Sequence, residues 1–204
     1  TCTATLPAAG TCDIDVEFAP TSTCLLTDTI SIQYDNGATT VTSNRDIQGT
    51  GIAAALLTIS NGPGNYDYGT VPTGSTNQFI FTVSNSGGST ATCMAGSGLA
   101  APFTFEGGVY PGTSGNCAAT LAAAASCQIS VEYNPVAISG GDADTILIDY
   151  NDGATTQQAT RGLTGVAVAP ANLTISETDP YNYVTLSTGS SANHIFVVTN
   201  GGGF

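Results

Sequence analysis

The sequence predicts an all-β protein made of repeated β-sandwich domains, and three observations support this. First, segments recur along the chain with a period of 115 to 116 residues, which marks copies of one structural unit. Second, apolar and polar residues alternate in the structured segments, which is the period of a half-buried strand. Third, clusters of Gly, Asn, Asp and Pro separate these segments, and no segment keeps a helical period. A unit of this size can hold its own core.

The repeat divides the chain into three pieces. The matching segments are residues 2–20 with 117–135, 34–40 with 150–156, and 57–60 with 173–176. Residues 1–55 are then the C-terminal part of one copy, residues 56–170 a complete copy, and residues 171–204 the N-terminal part of a further copy. We expect the chain, which starts at Thr1 without a signal-like stretch, to be a section of a longer mature protein.

Each predicted strand of the complete copy has apolar residues at alternate positions. They are Leu57, Ile59, Phe79, Phe81, Val83, Ile129, Val131, Tyr133, Ile146, Ile148 and Tyr150. Asn-Asp-Gly at 151–153 and Asp-Asn-Gly at 35–37 predict tight hairpins, because these residues accept a positive φ. The alanines at 122–125 could extend a helix, but Pro-Ala-Ala-Gly at 7–10 in the first copy favours a turn. Seven or eight short strands in such a unit predict an immunoglobulin-like sandwich.

The residue pattern also resembles a known family. Asn85-Ser-Gly-Gly, the stretch Cys117…Leu121…Ser126-Cys127…Pro135, and Leu163-Thr-Gly165 look like the choice-of-anchor D repeats of secreted bacterial proteins. These repeats are similar to the abnormal-spindle/hydin group of immunoglobulin-like domains. The resemblance runs over nearly the whole chain, and its most specific part is the stretch with the paired cysteines.

That resemblance implies β-sandwiches in tandem arrays on large surface or secreted proteins, with no catalytic residues to carry over. The ciliary and centrosomal branch of the group is intracellular. The paired cysteines and the lack of lysine in this chain depart from that branch. We therefore favour the bacterial surface, and expect an extracellular protein.

The composition of the chain limits the kinds of partner that it is expected to bind. Charged residues are 8% of the chain, there is no lysine, and Arg45 and Arg161 are the only basic residues. The formal charge of −13 argues against nucleic acid and anionic lipid, since binding phosphate relies on a basic patch. No apolar run approaches the roughly 18 residues that would cross a bilayer. This segment is not expected to insert into a membrane.

Two pairs of cysteines keep one spacing in two copies. Cys2 and Cys12 recur as Cys117 and Cys127, which predicts one disulfide in each copy and an oxidising compartment. Zinc is the alternative, but zinc sites usually show closer cysteine pairs or added histidines. The only histidine of this chain is His194, so we favour disulfides.

Cys24 and Cys93 have no partners in the repeat. If strands alternate in direction, Cys24 lies in the loop after Pro20 at the C-terminal pole of the first copy. Cys93 then begins the third strand of the next copy, at its N-terminal pole. These poles face each other across residues 53–56, so we predict a Cys24–Cys93 bond between neighbouring modules.

The sequence gives little support to a catalytic function. A Ser-His-Asp or Cys-His site would have to be built on His194, which aligns with Phe79 and is expected to begin a strand with its ring half exposed. We predict no enzyme, and no cofactor.

A weak calcium candidate remains. Asp142, Asp144 and Asp149 lie in one stretch of the complete copy, and calcium prefers such oxygen ligands. The first copy retains only Asp28 as a counterpart, and no loop with regularly spaced aspartates appears. Asn172-Leu-Thr174 is a glycosylation sequon that a bacterial protein is not expected to use.

Two functions fit this pattern. The chain is predicted to be a structural module of a stalk, adhesin shaft or fibre. The alternative is a carbohydrate- or protein-binding adhesin module, since sandwich loops often carry recognition sites. Its candidate platform is Tyr66, Tyr68, Phe103, Phe105 and Tyr110. Burial of these aromatic residues would favour the structural module, and exposure in every copy would favour binding.

The incomplete pieces predict association. Each would expose an apolar strand face and unpaired edges: Ile14, Val16, Phe18, Ile30 and Ile32 on the first, Leu173, Ile175, Phe196 and Val198 on the last. We expect head-to-tail contact between copies, through continuous chain or strand complementation. About 28 residues, including the third strand, have no counterpart in such a joint, which favours continuous chain.

Overall fold

The computed structural model describes residues 1–204. It is almost entirely β-structure, with one short 3-10 segment at Glu106–Gly108 and no α-helix, so the predicted all-β class is confirmed. The strands are β1 (Leu25–Asp35), β2 (Thr40–Thr50), β3 (Leu57–Ile59), β4 (Tyr66–Pro72), β5 (Asn77–Asn85), β6 (Thr92–Ser97), β7 (Phe103–Phe105), β8 (Ser126–Tyr133), β9 (Ser139–Asn151), β10 (Thr156–Val168), β11 (Leu173–Ile175) and β12 (Val198–Asn200). The chain contains no helix that is long and apolar enough to cross a membrane.

Contacts divide the chain into two compact units, Thr1–Ala53 and Ala54–Phe204. The first unit holds the β1–β2 hairpin, and the second holds the other ten strands. The division into 1–55, 56–170 and 171–204 rests on the sequence repeat and stays a prediction.

Strands β3 to β10 form a sandwich of two four-stranded sheets, ordered β3-β5-β8-β7 and β4-β10-β9-β6. Neighbours are antiparallel except β4 and β10, which run parallel. The first strand of the sandwich is therefore divided into β3 and β4. β3 pairs with β5 in one sheet, and β4 pairs with β10 in the other. This is the topology of an immunoglobulin-like sandwich, as predicted.

The core of the sandwich lies where the alternating apolar residues predict it. Fully buried side chains are Phe81, Val83, Ile129, Val131, Tyr133, Ile146, Ile148 and Leu163. Successive residues of a strand point to opposite faces, so one face of β5, β8 and β9 enters the core. Phe103 of the edge strand β7 stacks on Tyr133 with ring centroids 4.8 Å apart.

The two predicted hairpins have the same turn chemistry. Between β9 and β10, Oδ1 of Asp152 accepts the N–H groups of Ala154 and Thr155 at 2.8 and 2.7 Å. Between β1 and β2, the Oδ1 atom of Asn36 accepts the equivalent N–H groups at 3.0 and 2.9 Å. Residues 122–125 form a turn rather than a helix, as the first copy predicts.

This match allows a pH prediction. The N–H groups of Thr155 and Ala154 lower the pKa of the Asp152 carboxyl below its usual value. A lowered folded-state pKa stabilises the fold at neutral pH, and this contribution is lost as pH falls through that pKa. Asp152→Asn should keep the turn, because Asn36 forms the same turn in the first copy. The variant should lose the part of the acid-induced destabilisation that comes from protonating Asp152. Unfolding temperatures at pH 7 and near pH 3 should therefore differ less in the variant than in the wild type. Equal differences would contradict the assignment.

The first unit lacks the strand that Ile14, Val16 and Phe18 predict. In the complete copy the same segment is β8, which pairs with β5 on one side and β7 on the other. Thr1–Ala53 contains no counterpart of either neighbour, so residues 11–20 form no strand. Ile14, Val16 and Phe18 are consequently exposed.

Residues 171–204 form the short antiparallel pair of β11 and β12. β12 has three residues, whereas its counterpart β5 has nine. The difference has a simple cause, because β8 covers β5 along its other edge and no strand covers β12. Leu173, Ile175 and Val198 are all exposed.

Candidate functional site

The calcium candidates do not form one site. On β9, Asp142 and Asp144 lie an even number of residues apart and share a face, whereas Asp149 points to the other face. Asp142 accepts the hydroxyl of Tyr133 at 2.6 Å, and Asp144 accepts the N–H of Ala100 at 2.8 Å. Asp149 accepts from a glutamine side chain at 2.8 Å. The structure has no group of three or more His, Cys, Asp or Glu side chains placed to hold a metal ion.

His194 occupies a packing position. Its ring stacks on Tyr181 with centroids 4.1 Å apart, and Nε2 lies 3.5 Å from Oε1 of Glu177. Phe79 has the same relation to Tyr66 in the complete copy, also at 4.1 Å. The sequence repeat therefore accounts for this residue without a catalytic role.

Most of the proposed aromatic platform lies in the core. Tyr68, Phe103 and Phe105 are buried, and Tyr66 and Tyr110 are partly buried. The Tyr68 hydroxyl donates to the carbonyl of Val131 at 2.9 Å, and burial raises the pKa of Tyr110 to about 12. In the complete copy these residues pack the sandwich, which favours the structural module over aromatic recognition.

The cysteines fall into two classes. The structure contains the disulfides Cys2–Cys12 and Cys117–Cys127, each with Cα atoms 4.9 Å apart. Cys24 and Cys93 are free and exposed, and the bond predicted between them stays a prediction. Cys93 lies where the register between β6 and β9 shifts.

Asn85, which belongs to the Asn-Ser-Gly-Gly stretch of the predicted resemblance, is a buried polar centre. The residue is 2% exposed. Its Oδ1 accepts the N–H groups of Leu56 and Gly87 at 3.1 and 3.0 Å, and its Nδ2 donates to the carbonyls of Ser89, Leu121 and Ala122 at 2.8, 3.0 and 3.2 Å. One side chain thus joins the start of β3, the turn after β5 and the loop before β8.

Asn200 repeats part of this arrangement in the last piece. Its Oδ1 accepts the N–H groups of Asn172 and Gly202 at 3.0 and 2.9 Å. Its Nδ2 donates to the carbonyl of Phe204 at 3.0 Å. These bonds match those of Asn85 with Leu56, Gly87 and Ser89. The two carbonyls of the loop before β8 have no equivalent around Asn200.

The ring packing is repeated as well. Tyr66, Tyr68, Phe79 and Phe81 correspond to Tyr181, Tyr183, His194 and Phe196. Four matching centroid distances are 5.0, 4.1, 5.2 and 4.8 Å in the complete copy and 4.9, 4.1, 5.1 and 4.8 Å in residues 171–204. Phe81 is fully buried, whereas Phe196 is 39% exposed. Residues 171–204 therefore repeat the ring packing of the complete copy, with a more exposed Phe196.

The two arginines stand at matching repeat positions, 116 residues apart. Arg161 on β10 donates from Nη1 to the carbonyl of Gly64 at 2.8 Å and from Nη2 to that of Ile59 at 2.5 Å. These bonds join β10 to the turn between β3 and β4. Arg45 on β2 is exposed. Its unit contains no counterpart of that turn.

This geometry can be compared with known proteins. The immunoglobulin-like domain family described as HYDIN/CFA65/VesB-like matches residues 59–163, which is 105 of the 204 residues. The chain belongs to this family. The broader part of the predicted resemblance, to hydin-type immunoglobulin-like domains, is thereby confirmed. The narrower choice-of-anchor D assignment stays a prediction.

Solved structures similar to this HYDIN/CFA65/VesB-like chain come from several organisms. A PapD-like domain of human CEP192 is 16% identical with a TM-score of 0.41, over 57% of this chain and 88% of that one. The VesB protease of Vibrio cholerae is 17% identical with a TM-score of 0.42, over 55% of this chain and 32% of that one. A protein of unknown function from Porphyromonas gingivalis W83 is 11% identical with a TM-score of 0.42, over 72% and 68%. No curated protein sequence matches the chain.

The family match and the geometry of the site indicate the same kind of function. Domains of this immunoglobulin-like family serve as structural or interaction modules, and the features that recur in this chain are packing and hydrogen-bonding positions. Exposed large apolar side chains are concentrated in residues 1–53 and 171–204. We call residues 171–204 the front half and residues 1–53 the back half.

Proposed function

We propose that this chain is a structural repeat module of an extracellular bacterial surface protein or filament, such as a stalk, adhesin shaft or fibre. Modules would join head-to-tail, with the front half of one copy meeting the back half of the next. One observation carries the proposal: segments on both sides of the sandwich, residues 2–20 and 34–40 before it and residues 173–176 after it, repeat segments of the sandwich itself.

Burial in the complete copy supports this. Ile14, Val16 and Phe18 of the back half are 49%, 50% and 52% exposed, while the residues that match them in β8 are fully buried. On the front half, Leu173 is 67% exposed, and its counterpart Leu57 is 4% exposed. Burying such surfaces contributes roughly 25 cal/mol per Å² of apolar area, which favours association over leaving them in water.

The extracellular setting rests on covalent chemistry and composition. Two disulfides within 204 residues suit an oxidising compartment. With no lysine and two arginines, the chain offers few sites to trypsin-like proteases. Both properties agree with the predicted resemblance to the choice-of-anchor D repeats of secreted bacterial proteins.

Assembly is tested by sedimentation velocity and electron microscopy of the 204-residue chain over a range of concentrations. We expect linear particles that lengthen with concentration, because a head-to-tail contact leaves a free half at each end. Raising the salt concentration should promote assembly, since it screens repulsion between molecules of charge −13. A monomer at every concentration and salt level would contradict the proposal.

Antibody labelling of intact producing cells tests the location of the protein. Labelling only after permeabilisation would contradict an extracellular protein.

A further inference from the structure

We infer that the complete copy cross-links itself by an ester bond between the hydroxyl of Ser130 and the side-chain carbonyl carbon of Gln78, with Glu106 as the general base. This is a single reaction of the chain on itself and not the turnover of a substrate. The three residues lie on β8, on β5 and directly after β7, all within the sandwich. The inference therefore goes beyond the proposed assembly and does not depend on it.

Ser130 carries a buried hydroxyl on the outer face of its sheet. Its neighbours on β8, Ile129 and Val131, point into the core, so Ser130 points away from the core. Side chains on that face usually contact water, yet Ser130 is 0% exposed. The loop after β7 packs on it, and the Ser130 N–H donates to the carbonyl of Pro111 at 2.8 Å. Gly112, with a φ of +92°, allows this approach because a Cβ atom there would collide with the Ser130 carbonyl.

Gln78 brings an amide group to this hydroxyl. β5 pairs with β8 so that Ile80 lies opposite Ser130, and Gln78 is two residues away on the same face. Its Nε2 donates to Oγ of Ser130 at 2.7 Å and to Oγ of Ser114 at 3.5 Å. The amide carbon is bonded to this nitrogen, so the hydroxyl oxygen is held close to the carbon that it would attack. Such positioning removes much of the entropic cost of a reaction.

Glu106 places a carboxylate beside the hydroxyl. It directly follows β7, which pairs with β8, and this register sets Glu106 next to Ser130. Its Oε2 accepts the N–H of Ser114 at 2.6 Å. Hydrogen bonds from Ser114, Ser130 and Gln78 lower the pKa of the Glu106 carboxyl, so this group is ionised at neutral pH. An ionised carboxylate in contact with a hydroxyl can take its proton as a general base.

The reaction balances without any further reagent. Glu106 takes the proton of the Ser130 hydroxyl, and a bond forms between Oγ and Cδ of Gln78. The bond between Cδ and Nε2 then breaks, and Nε2 leaves as ammonia with the proton that Glu106 returns. At neutral pH the ammonia is protonated to ammonium and diffuses away, which draws the reaction toward the ester. Burial of Ser130 limits the access of water to the new bond.

The repeat shows that the sandwich fold does not require this hydroxyl and this amide. The counterpart of Ser130 in the first copy is Asp15, and the counterpart of Gln78 in the last piece is Asn193. The core positions of β8, in contrast, are apolar in both copies. The pair is thus particular to the complete copy, which favours a chemical role over a general packing role.

Peptide mapping of the 204-residue chain tests the bond. The protein is kept at neutral pH, denatured, reduced, alkylated and digested with chymotrypsin, which cuts after aromatic residues. Cuts after Tyr68, Phe105 and Tyr133 place Gln78 and Ser130 on separate peptides. Reduction opens the disulfides, so an ester is the bond expected to join the two peptides. We expect them at the sum of their masses less one ammonia, and mild base should separate them.

Three variants test the assigned roles. Ser130→Ala removes the nucleophile and should give no joined peptide. Glu106→Gln keeps the hydroxyl and the amide, and joined peptide should accumulate roughly a hundredfold more slowly after synthesis, as expected for loss of a general base. Ser126→Ala is the matched control, because it removes another β8 hydroxyl, one that is bonded to Ser84 at 2.9 Å. It should leave the joined fraction unchanged.

Each outcome supports or overturns a stated part of the inference. A wild-type digest without joined peptides overturns the ester and leaves Ser130 and Gln78 as a hydrogen-bonded pair. Joined peptides that resist mild base overturn the ester as the type of bond. Equal rates in Glu106→Gln and the wild type overturn the role of Glu106. All of these measurements are made on a single chain, so they distinguish failure of this inference from failure of the proposed assembly.

Discussion

Replacing Asn85 by alanine should lower the free energy of unfolding of the complete sandwich by about 3–4 kcal/mol, since each buried polar group left without a partner costs about 1–3 kcal/mol. The substitution leaves the N–H groups of Leu56 and Gly87 without their partner and takes one donor from each of three carbonyls. Two of these carbonyls, those of Leu121 and Ala122, keep a main-chain hydrogen bond. The total falls below a simple sum because loops can relax and admit water. Chemical denaturation followed by circular dichroism measures the effect as a lower midpoint at an unchanged slope.

Asn200→Ala is the matched control. It removes the same type of residue from the same kind of turn, but in the exposed front half. The main unfolding transition should therefore shift little. Asn85→Asp separates the two sides of the amide, because it keeps both acceptor bonds and loses the donors to Ser89, Leu121 and Ala122. A midpoint of Asn85→Ala equal to that of the wild type would contradict the role of Asn85.

The sequence predicts the β8 and β9 strands well because their signal is local. Ile129, Val131 and Tyr133 alternate with polar neighbours, and alternation alone determines which side chains enter a core. The same signal at Ile14, Val16 and Phe18 predicts a strand that the structure lacks. A strand also needs a neighbour to pair with, and periodicity does not report whether one is present.

The polar centres could not be predicted in the same way. Asn85 and Arg161 bind main-chain carbonyls, which every residue has, so no motif of side chains marks their partners. Their only sequence signal is recurrence, since Asn200 and Arg45 stand at the matching repeat positions.

The division of the first strand between two sheets was also beyond the sequence. β3 and β4 are both short and alternate in the same way. Their partners β5 and β10 lie at very different distances along the chain. Arg161 ties β10 to the turn that separates them, and this contact exists only once the sandwich has formed.

Removing the Cys117–Cys127 disulfide should be the other large perturbation. The bond closes a loop of about a dozen residues, and in the chain-entropy model this contributes roughly 3 kcal/mol by restricting the unfolded chain. The variant C117A/C127A should therefore unfold at a markedly lower temperature, as measured by calorimetry. C2A/C12A is the matched control, because that bond lies in the other compact unit. The sandwich transition should not respond to it.

The disulfide and Asn85 hold the same loop, so their effects should not be independent. The bond joins the two ends of residues 117–127, and Asn85 binds the carbonyls of Leu121 and Ala122 near the middle. Without the cross-link the loop moves more freely and holds those carbonyls less firmly against Asn85. Asn85→Ala should then cost less in the C117A/C127A background than in the wild type, by about 1 kcal/mol for residues that share one network. Strict additivity in this double-mutant cycle would show that the disulfide acts on the unfolded chain alone and does not hold the loop for Asn85.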